Sequence, residues 1–434
     1  MSPPVDLVQS NRDLPSHADV AIIGGGIIGV STAMFLAEKG LSVVLCEKGV
    51  IGGEQSSRNW GWCRSMGRDI AEVPLALESL KIWRTLNLRI NRETGYRQAG
   101  VMYLCETEQE VATQEAWLEQ ARQFQVRSRI LKGAELEKVM PGASNRFIAG
   151  NYTPTDGRAE PSQAAPAIAE AARALGATIL TNCAVRSLDM QGGVVAGIVT
   201  ERGCIATGAV VLAGGAWSRL FCGNEGLDLP QLKVLGSVFR TAPLTGGPDI
   251  TAAGSVFALR KRLDGGYSIA RRNANQTTIT PDHFRLLPDF LPSLWASRHE
   301  IRLRVGQRTL DELRTKRRWS GEDVSPFELT RILDPKPHEG TLKEARRVLS
   351  RAFPAFADMK VVESWGGLMD VTPDAVPVID RVDRIPGLHI ATGFSGHGFG
   401  IGPGAGRLMA DIVAGDRPVV DPAPYRLKRF KRSV

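Results

Sequence analysis

The sequence lacks several features that would assign a function class at once. Its longest apolar stretch, the helical run that begins near Ile27, is far short of the ~20 residues that cross a bilayer. The first seventeen residues have no charged start followed by an apolar core, so they predict neither a signal peptide nor an anchor. Six cysteines are scattered without CxxC or metal-ligand spacing. These absences predict a cytoplasmic protein with free thiols, no metal site and no transmembrane segment.

The charge balance gives little evidence of a nucleic-acid partner. The 434 residues include 54 Lys and Arg against 46 Asp and Glu, a net charge of +8. Much of the excess falls in two clusters, 314–318 and 425–432, without an RNA- or DNA-binding motif beside them. Solvated helix faces and a solubilising tail are therefore the preferred interpretation, and we expect no nucleic acid. A flavoprotein that acts on nucleic acid stays as an alternative, motivated by the basic tail.

Residues 18–48 are the most informative stretch of the chain. A buried strand is followed by Gly24, Gly26 and Gly29 at the GxGxxG spacing, then a helix, a second strand and Glu47. The glycines allow a tight turn, close approach of a pyrophosphate and close helix packing, in that order. The helix start favours an anion, and the carboxylate can accept hydrogen bonds from a ribose. The segment predicts a dinucleotide site that disfavours a 2′-phosphate.

Four separated motifs carry a family resemblance. They are GGGIIG with Glu47, VVLAGGAWS at 210–218, SWGGLMDVTPDAVPVID at 364–380, and GFSGHGFGIGPGAG at 393–406. Together they resemble the FAD-dependent amine oxidoreductases of the D-amino-acid-oxidase and glycine-oxidase fold family. Within it, EKGVIGGEQSSRNWGW at 47–62 is most similar to bacterial L-amino-acid deaminases and L-amino-acid oxidases.

The order of strand-like and helix-like segments, together with the resemblance, predicts an α/β fold. A Rossmann-type FAD-binding domain would be interleaved with an α+β substrate domain built on a mostly antiparallel sheet with a helical insert. A helix starting near Pro403 should follow the last glycine-rich loop. The predicted segments are 18–70, 151–230 and 363–420 for the FAD-binding domain, 71–150 as a helical and strand segment shared with the substrate domain, 231–362 for the substrate domain, and 421–434 for a basic tail.

The resemblance also implies which residues hold FAD. They are Gly24, Gly26, Ile27, Ile28, Gly29, Glu47, Lys48, Gly53, Gln55, Ser56, Ser57, Arg58, Asn59, Trp60, Gly61, Val185, Ala213, Gly214, Gly215, Trp217, Gly367, Gly396, His397, Gly398, Phe399 and Gly400. In this set Arg58 would supply charge-assisted bonds to the pyrophosphate.

The substrate's carboxylate requires a guanidinium, which can bind it through two parallel hydrogen bonds. Arg271 and Arg272 follow a segment with strand character, so we expect them to face opposite sides and only one to enter the pocket. The resemblance to the deaminases places the carboxylate arginine on Arg272; a surface pair or a salt bridge is the alternative. The predicted catalytic residues are Arg272, Trp62, His397 and Trp365, and the predicted substrate-binding residues are Arg271, Arg272, Trp62, His397 and Phe399.

The resemblance implies oxidative deamination of L-amino acids to 2-keto acids and ammonia, by hydride transfer from Cα to flavin N5. Hydrogen peroxide would form if oxygen is the electron acceptor, and a quinone is the other acceptor considered. The alternative is an FAD dehydrogenase or oxidase of D-amino acids or secondary amines such as sarcosine or proline. The sequence leaves the assembly state open, a homo-oligomer included.

Overall fold

The computed structural model describes residues 3–144, 146–272, 275–296 and 301–430. The strands are β1 (Val20–Ile23), β2 (Val43–Cys46), β3 (Trp62–Cys63), β4 (Val101–Cys105), β5 (Arg129–Lys132), β6 (Ala149–Thr153), β7 (Gly157–Arg158), β8 (Thr178–Leu180), β9 (Val185–Gln191), β10 (Val194–Thr200), β11 (Gly203–Ala206), β12 (Ala209–Leu212), β13 (Leu232–Thr241), β14 (Thr251–Ala253), β15 (Phe257–Lys261), β16 (Tyr267–Arg271), β17 (Asn275–Thr278), β18 (Ile301–Arg304), β19 (Val361–Val371), β20 (Val378–Arg381) and β21 (Leu388–Thr392). The α-helices are α1 (Ile27–Glu38), α2 (Gln55–Arg58), α3 (Val73–Ile90), α4 (Glu108–Ala121), α5 (Gly133–Val139), α6 (Pro161–Ala174), α7 (Ser218–Asn224), α8 (Pro281–Arg285), α9 (Leu287–Ala296), α10 (Gln307–Arg314), α11 (Pro326–Leu329), α12 (Glu339–Ala352) and α13 (Gly398–Ala414).

A six-stranded sheet brings both ends of the chain together. Its order is β20-β21-β12-β1-β2-β8, parallel except for β20 against β21. All four residues of β1 are buried, as expected for an apolar interior strand of a parallel sheet. The first strand and the last therefore belong to one platform, which confirms the Rossmann-type part of the predicted α/β fold.

The other large sheet is ten-stranded and mostly antiparallel. Its order is β18-β17-β13-β16-β15-β14-β4-β6-β5, and β19 also pairs with β13. The long strand β13 pairs with β19 over Leu232–Thr241, and its Val238 lies opposite Ala270 on β16. The sheet extends from residue 101 to residue 371, with α8 to α11 inserted before β19. An α+β unit interleaved with the parallel sheet agrees with the predicted fold class.

The last long helix begins earlier than the sequence predicts. Helix α13 starts at Gly398, whereas the glycine content and Pro403 indicated a start near that proline. Glycine lowers helix propensity, but here close packing requires it. A Cβ on Gly402 would lie 2.9 Å from Ile27 Cγ1, and one on Gly406 would lie 2.4 Å from Ser31 Cβ, both on α1. Tertiary contact with α1 therefore overrides the local preference.

The start of the basic tail is not a free solvated segment. Tyr425 and Leu427 are buried. The Leu427 amide donates to Asp380 Oδ2 at 2.9 Å, and the Arg429 guanidinium pairs with Asp374 at 2.7 Å. As far as Phe430 the predicted tail is docked, because its apolar residues pack on the edge of the parallel sheet, whereas Arg426 and Lys428 are exposed as expected. Lys431 and Arg432 lie outside the described residues.

Within the described ranges, no helix combines the length and the apolar character needed to span a membrane. The six cysteines are unpaired thiols, five of them buried. The same ranges contain no group of three or more His, Cys, Asp or Glu side chains that could hold a metal ion.

Candidate active site

Two adjoining cavities lie where the sheets meet. The first has a volume of about 880 Å³ and the second about 1310 Å³, and Gln55 lines both. Of the predicted cofactor residues, the first is lined by Gly24, Gly26, Glu47, Lys48, Gly53, Gln55, Ser56, Val185, Ala213, Gly214, Gly215 and Trp217. Of all predicted site residues, the second is lined by Gln55, Arg58, Asn59, Trp60, Trp62, Arg271, Arg272, Gly367, Gly396, His397, Phe399 and Gly400. Outside both linings are Ile27, Ile28, Gly29, Ser57, Gly61, Trp365 and Gly398.

The glycines at the start of α1 shape the first cavity. Gly24 has φ +110°, and a Cβ there would lie 2.5 Å from Ala213 O. Gly26 faces Ser56, whose Oγ accepts a hydrogen bond from Ile27 N at 2.9 Å. The other N–H groups of the first helical turn have no partner within the helix. A pyrophosphate fits this cradle, because the backbone approaches it without side chains and the helix dipole favours negative charge.

Glu47 stands at the end of β2 and organises the same cavity. Its Oε2 accepts from Gly25 N and its Oε1 from Gly49 N, both at 2.7 Å. Burial raises the pKa of this carboxyl, while Lys48 and the two amides act in the opposite direction. Each carboxylate oxygen can accept a further hydrogen bond, so the predicted contact with ribose hydroxyls is compatible with the geometry.

A substitution at Gly29 tests whether close packing at the start of α1 is required for cofactor binding. A Cβ there would lie 2.0 Å from Gly24 O, which is backbone and cannot turn aside. We expect Gly29→Ala to lower the free energy of unfolding by about 1–3 kcal/mol and to deplete bound FAD. The measurements are urea unfolding and the ratio of flavin to protein absorbance. Gly223→Ala in α7 is the matched control, since nothing lies within 4 Å of its added methyl; a Gly29→Ala protein with full flavin content would contradict the expectation.

The second cavity carries the predicted carboxylate arginine. Arg272 lies just past the end of β16, with its guanidinium carbon 4.2 Å from the Tyr103 ring centroid. Arg271 forms two hydrogen bonds with Glu344, at 2.7 and 3.3 Å. The expectation that only one of the two enters the pocket is wrong: both line the cavity, because strand alternation ends before Arg272. Of the two, Arg271 is the one already neutralised by a carboxylate.

His397 forms a pair with a carboxylate that the sequence did not indicate. Its Nδ1 lies 3.1 Å from Oε2 of Glu72, which is fully buried. Burial and then Arg68 lower the His397 pKa more than Glu72 raises it. Burial opposes ionisation of Glu72, but His397, Arg68 and Arg64 outweigh it and lower its pKa. An ionised Glu72 only accepts, so Nδ1 carries the hydrogen and Nε2 of the neutral ring is left as an acceptor.

Aromatic rings cover another part of the second cavity. The Trp62 ring centroid lies 5.7 Å from that of Trp60 and 6.3 Å from that of Tyr103. Phe399 packs at 5.5 Å against Trp83. Trp365, predicted to be catalytic, is buried elsewhere and donates from Nε1 to Arg58 O at 3.0 Å. The rings of Trp60, Trp62 and Tyr103 give the cavity an apolar surface that excludes water.

Arg58 is held by protein groups. Its guanidinium pairs with Asp334 at 3.0 Å and donates to the carbonyls of Leu333 and Gly366, at 2.8 and 3.2 Å. Burial lowers its pKa, and Asp334 is the main opposing influence. These bonds connect α2 with β19, whereas the sequence indicated bonds to a pyrophosphate.

Sequence reasoning missed Arg64 and Arg68, which also line the second cavity. Both belong to the loop after β3, and Asp156 holds that loop. The Asp156 carboxylate accepts from Ser65 N, Ser65 Oγ and Met66 N, at 3.0, 2.8 and 3.0 Å. The available signal was a pair of arginines, four residues apart and shortly after WGW, but this pair belonged to no motif.

One family model and three known proteins show what this chain is similar to. A family model described as FAD dependent oxidoreductase (DAO) matches residues 19–412. The structure of L-amino acid deaminase from Proteus myxofaciens, in complex with anthranilate, is 35% identical with a TM-score of 0.95 and covers 99% of this chain and 97% of that one. Sarcosine oxidase subunit beta from Arthrobacter sp. is 27% identical, with 98% and 94% covered. Glycine oxidase from Pseudomonas aeruginosa is 28% identical, with 94% and 97% covered.

Proposed function

Because this chain belongs to the DAO family of FAD-dependent oxidoreductases, which act on amino acids and amines, we propose that it oxidises L-amino acids to 2-keto acids and ammonia. The observation that carries the proposal is the second cavity, which adjoins the dinucleotide cavity at Gln55 and contains Arg272, a residue that forms no ion pair with a carboxylate in the described part of the chain. A guanidinium of this kind suits the carboxylate of an α-amino acid. The L configuration is supported by the 35% identity to the Proteus myxofaciens deaminase over almost the whole chain.

The residues present fit FAD and an amino acid together. Gly24, Gly26 and the start of α1 would hold the pyrophosphate, and Glu47 the ribose. When bound, FAD would supply the acceptor for the hydride that leaves the substrate Cα, and water would then convert the imino acid to the 2-keto acid and ammonia. Arg272 would fix the carboxylate and so orient the Cα–H bond.

The remaining groups of the second cavity would control water and protons. The rings of Trp60, Trp62 and Phe399 would exclude water from the reacting atoms. Neutral His397, held by Glu72, would offer Nε2 as an acceptor for a proton that the substrate's ammonium group releases.

A single anaerobic titration tests the proposal. The purified protein is expected to be yellow and to bleach on addition of an L-amino acid but not its D enantiomer, with one equivalent each of 2-keto acid and ammonia. Reoxidation by oxygen, with hydrogen peroxide formed, or by a soluble quinone then identifies the electron acceptor. Bleaching by D-amino acids alone would refute the proposal.

Oxidation of a secondary amine or glycine is the second candidate. It is supported by the 27% and 28% identities to sarcosine oxidase subunit beta and glycine oxidase, each over more than nine tenths of this chain. Adding sarcosine, L-proline and glycine to the same titration separates the candidates. Faster reduction by one of these than by every primary L-amino acid with a side chain would favour the second candidate.

A further inference from the structure

The wall of the second cavity carries an excess of positive charge. Among the described residues its lining includes five arginines and no aspartate or glutamate. Arg58 pairs with Asp334, and Arg271 with Glu344. For the other three arginines (Arg64, Arg68 and Arg272), no carboxylate of the described residues lies within 4.0 Å. One α-carboxylate on Arg272 would leave two guanidinium groups unmatched.

Two donors on this wall are buried without an acceptor. Arg68 is only 4% exposed, and its Nη1 has no hydrogen-bond partner in the described structure. The same holds for Nε1 of Trp62, a side chain that is 7% exposed. A buried donor left unpaired is costly, and the cost is greater for a charged group. Such groups in a cavity wall indicate a ligand that supplies acceptor oxygens.

Glu72 balances only part of the charge of Arg68: it raises the pKa of this guanidinium through space, but no ion pair within 4.0 Å joins the two side chains in the described structure. It lies outside the cavity lining, and its contact within ion-pair distance is with His397. Burial, followed by the neighbouring Arg64, lowers the pKa of Arg68 to about 10, so the side chain remains a cation at neutral pH.

The loop that carries these cations is held in place before any ligand binds. Asp156 accepts three hydrogen bonds from residues 65 and 66, and Trp117 Nε1 donates to Arg68 O at 2.8 Å. The guanidinium of Arg64 lies 5.5 Å from the Tyr103 centroid, on the ring that also contacts Arg272. The two guanidinium carbons are therefore no further apart than the sum of these two distances, and both side chains line the second cavity.

We propose that Arg68 and Trp62 Nε1, assisted by Arg64, bind a second anionic group of the substrate, so that the preferred substrates are L-amino acids with an acidic side chain. The inference rests on the proposed function, since it assigns the α-carboxylate to Arg272. The side-chain carboxylate would then accept from the two unpaired donors, while the rings of Trp60 and Phe399 contact the carbon chain. A neutral side chain of the same shape would leave the buried guanidinium unmatched.

Isosteric substrate pairs provide the test. For L-glutamate against L-glutamine, and L-aspartate against L-asparagine, the rate constant of anaerobic flavin reduction divided by Kd is measured. We expect the acid to be favoured about 10- to 100-fold in at least one pair, as for a hydrogen-bonded charge. Equal values, or preference for the amide in both pairs, would overturn the inference.

Variants of Arg68 test whether this residue causes the preference for acidic over amide substrates. Arg68→Gln should bring the acid-to-amide ratio close to one, because the acid loses its charged partner, and Arg68→Lys should keep part of the preference. Arg122→Gln, on an exposed side chain, removes the same charge and should leave the ratio unchanged. An unchanged ratio in Arg68→Gln, even with altered flavin affinity or potential, would overturn the role of Arg68.

A binding measurement separates this inference from the proposed function. Glutarate and butyrate are titrated into the oxidised protein, and the change in flavin absorption gives their Kd values. We expect glutarate to bind about tenfold or more tightly than butyrate, and Arg68→Gln to remove the difference. If no L-amino acid reduces the flavin, the proposed function fails while this titration still decides the anion site; equal Kd values would refute the site.

Discussion

Replacing Arg272 with alanine is expected to lower the rate constant of flavin reduction divided by Kd, for any L-amino acid that is a substrate, by about 100- to 1000-fold. The arginine lines the second cavity, its guanidinium carbon lies 4.2 Å from the Tyr103 centroid, and it donates a long hydrogen bond of 3.4 Å to Gly254 O. Its charge is thus available for a carboxylate, which alanine would leave unpaired. Flavin content and the urea midpoint should stay near those of the wild type, because the residue is not part of the first cavity.

Arg271→Ala is the contrasting variant. Its guanidinium is already bound to Glu344, so we expect a loss of less than about tenfold. Arg272→Lys should recover only part of the activity, since an ammonium cannot form two parallel bonds to a carboxylate. If Arg271→Ala has the larger effect, Arg271 at the end of β16 binds the substrate carboxylate and Arg272 does not.

The dinucleotide cavity was predictable because its signals are local. Strand β1, the glycines and Glu47 lie within one βαβ unit, where sequence order nearly determines spatial order. The meeting of the two chain ends also followed from sequence, since β21 repeats the pattern of a buried strand before a glycine-rich loop. The family assignment that depended on these motifs is confirmed.

The second cavity was only partly predictable because its wall depends on distant contacts. Arg64 and Arg68 acquire their positions from Asp156, some ninety residues away in sequence. Glu72 becomes a partner only because α13 brings His397 to it. The same helix shows why local propensity failed at its start, since the need for glycine there comes from contact with α1. Ion pairs between distant segments leave no periodic pattern in the sequence from which they could be predicted.

Glu160→Ala should produce the largest loss of stability among these variants. Its carboxylate binds the Arg260 guanidinium at 2.7 and 3.1 Å, and the two side chains are 5% and 1% exposed. Glu160 also accepts from Leu263 N at 2.8 Å. The pair connects the start of α6, which packs on α1, to β15 of the ten-stranded sheet. Without the carboxylate the cation is buried and uncompensated, so we expect the free energy of unfolding to fall by about 3–5 kcal/mol.

Two further variants and a pH series show whether the cause is the unpaired charge. Glu119→Ala removes an exposed partner of Arg122 and should cost less than about 1 kcal/mol. The double variant Glu160→Leu with Arg260→Met should recover much of the loss, because no buried charge remains.

Burial opposes ionisation of Glu160, but Arg260 outweighs it and lowers the pKa of the Glu160 carboxyl. The pair therefore stabilises the fold above the unfolded-state pKa of Glu160, and this contribution is lost as the pH falls through the lower folded-state pKa. Urea unfolding between neutral and acidic pH should show that loss in the wild type and a smaller one in the double variant; equal slopes would mean that the pair does not contribute as an ionised unit.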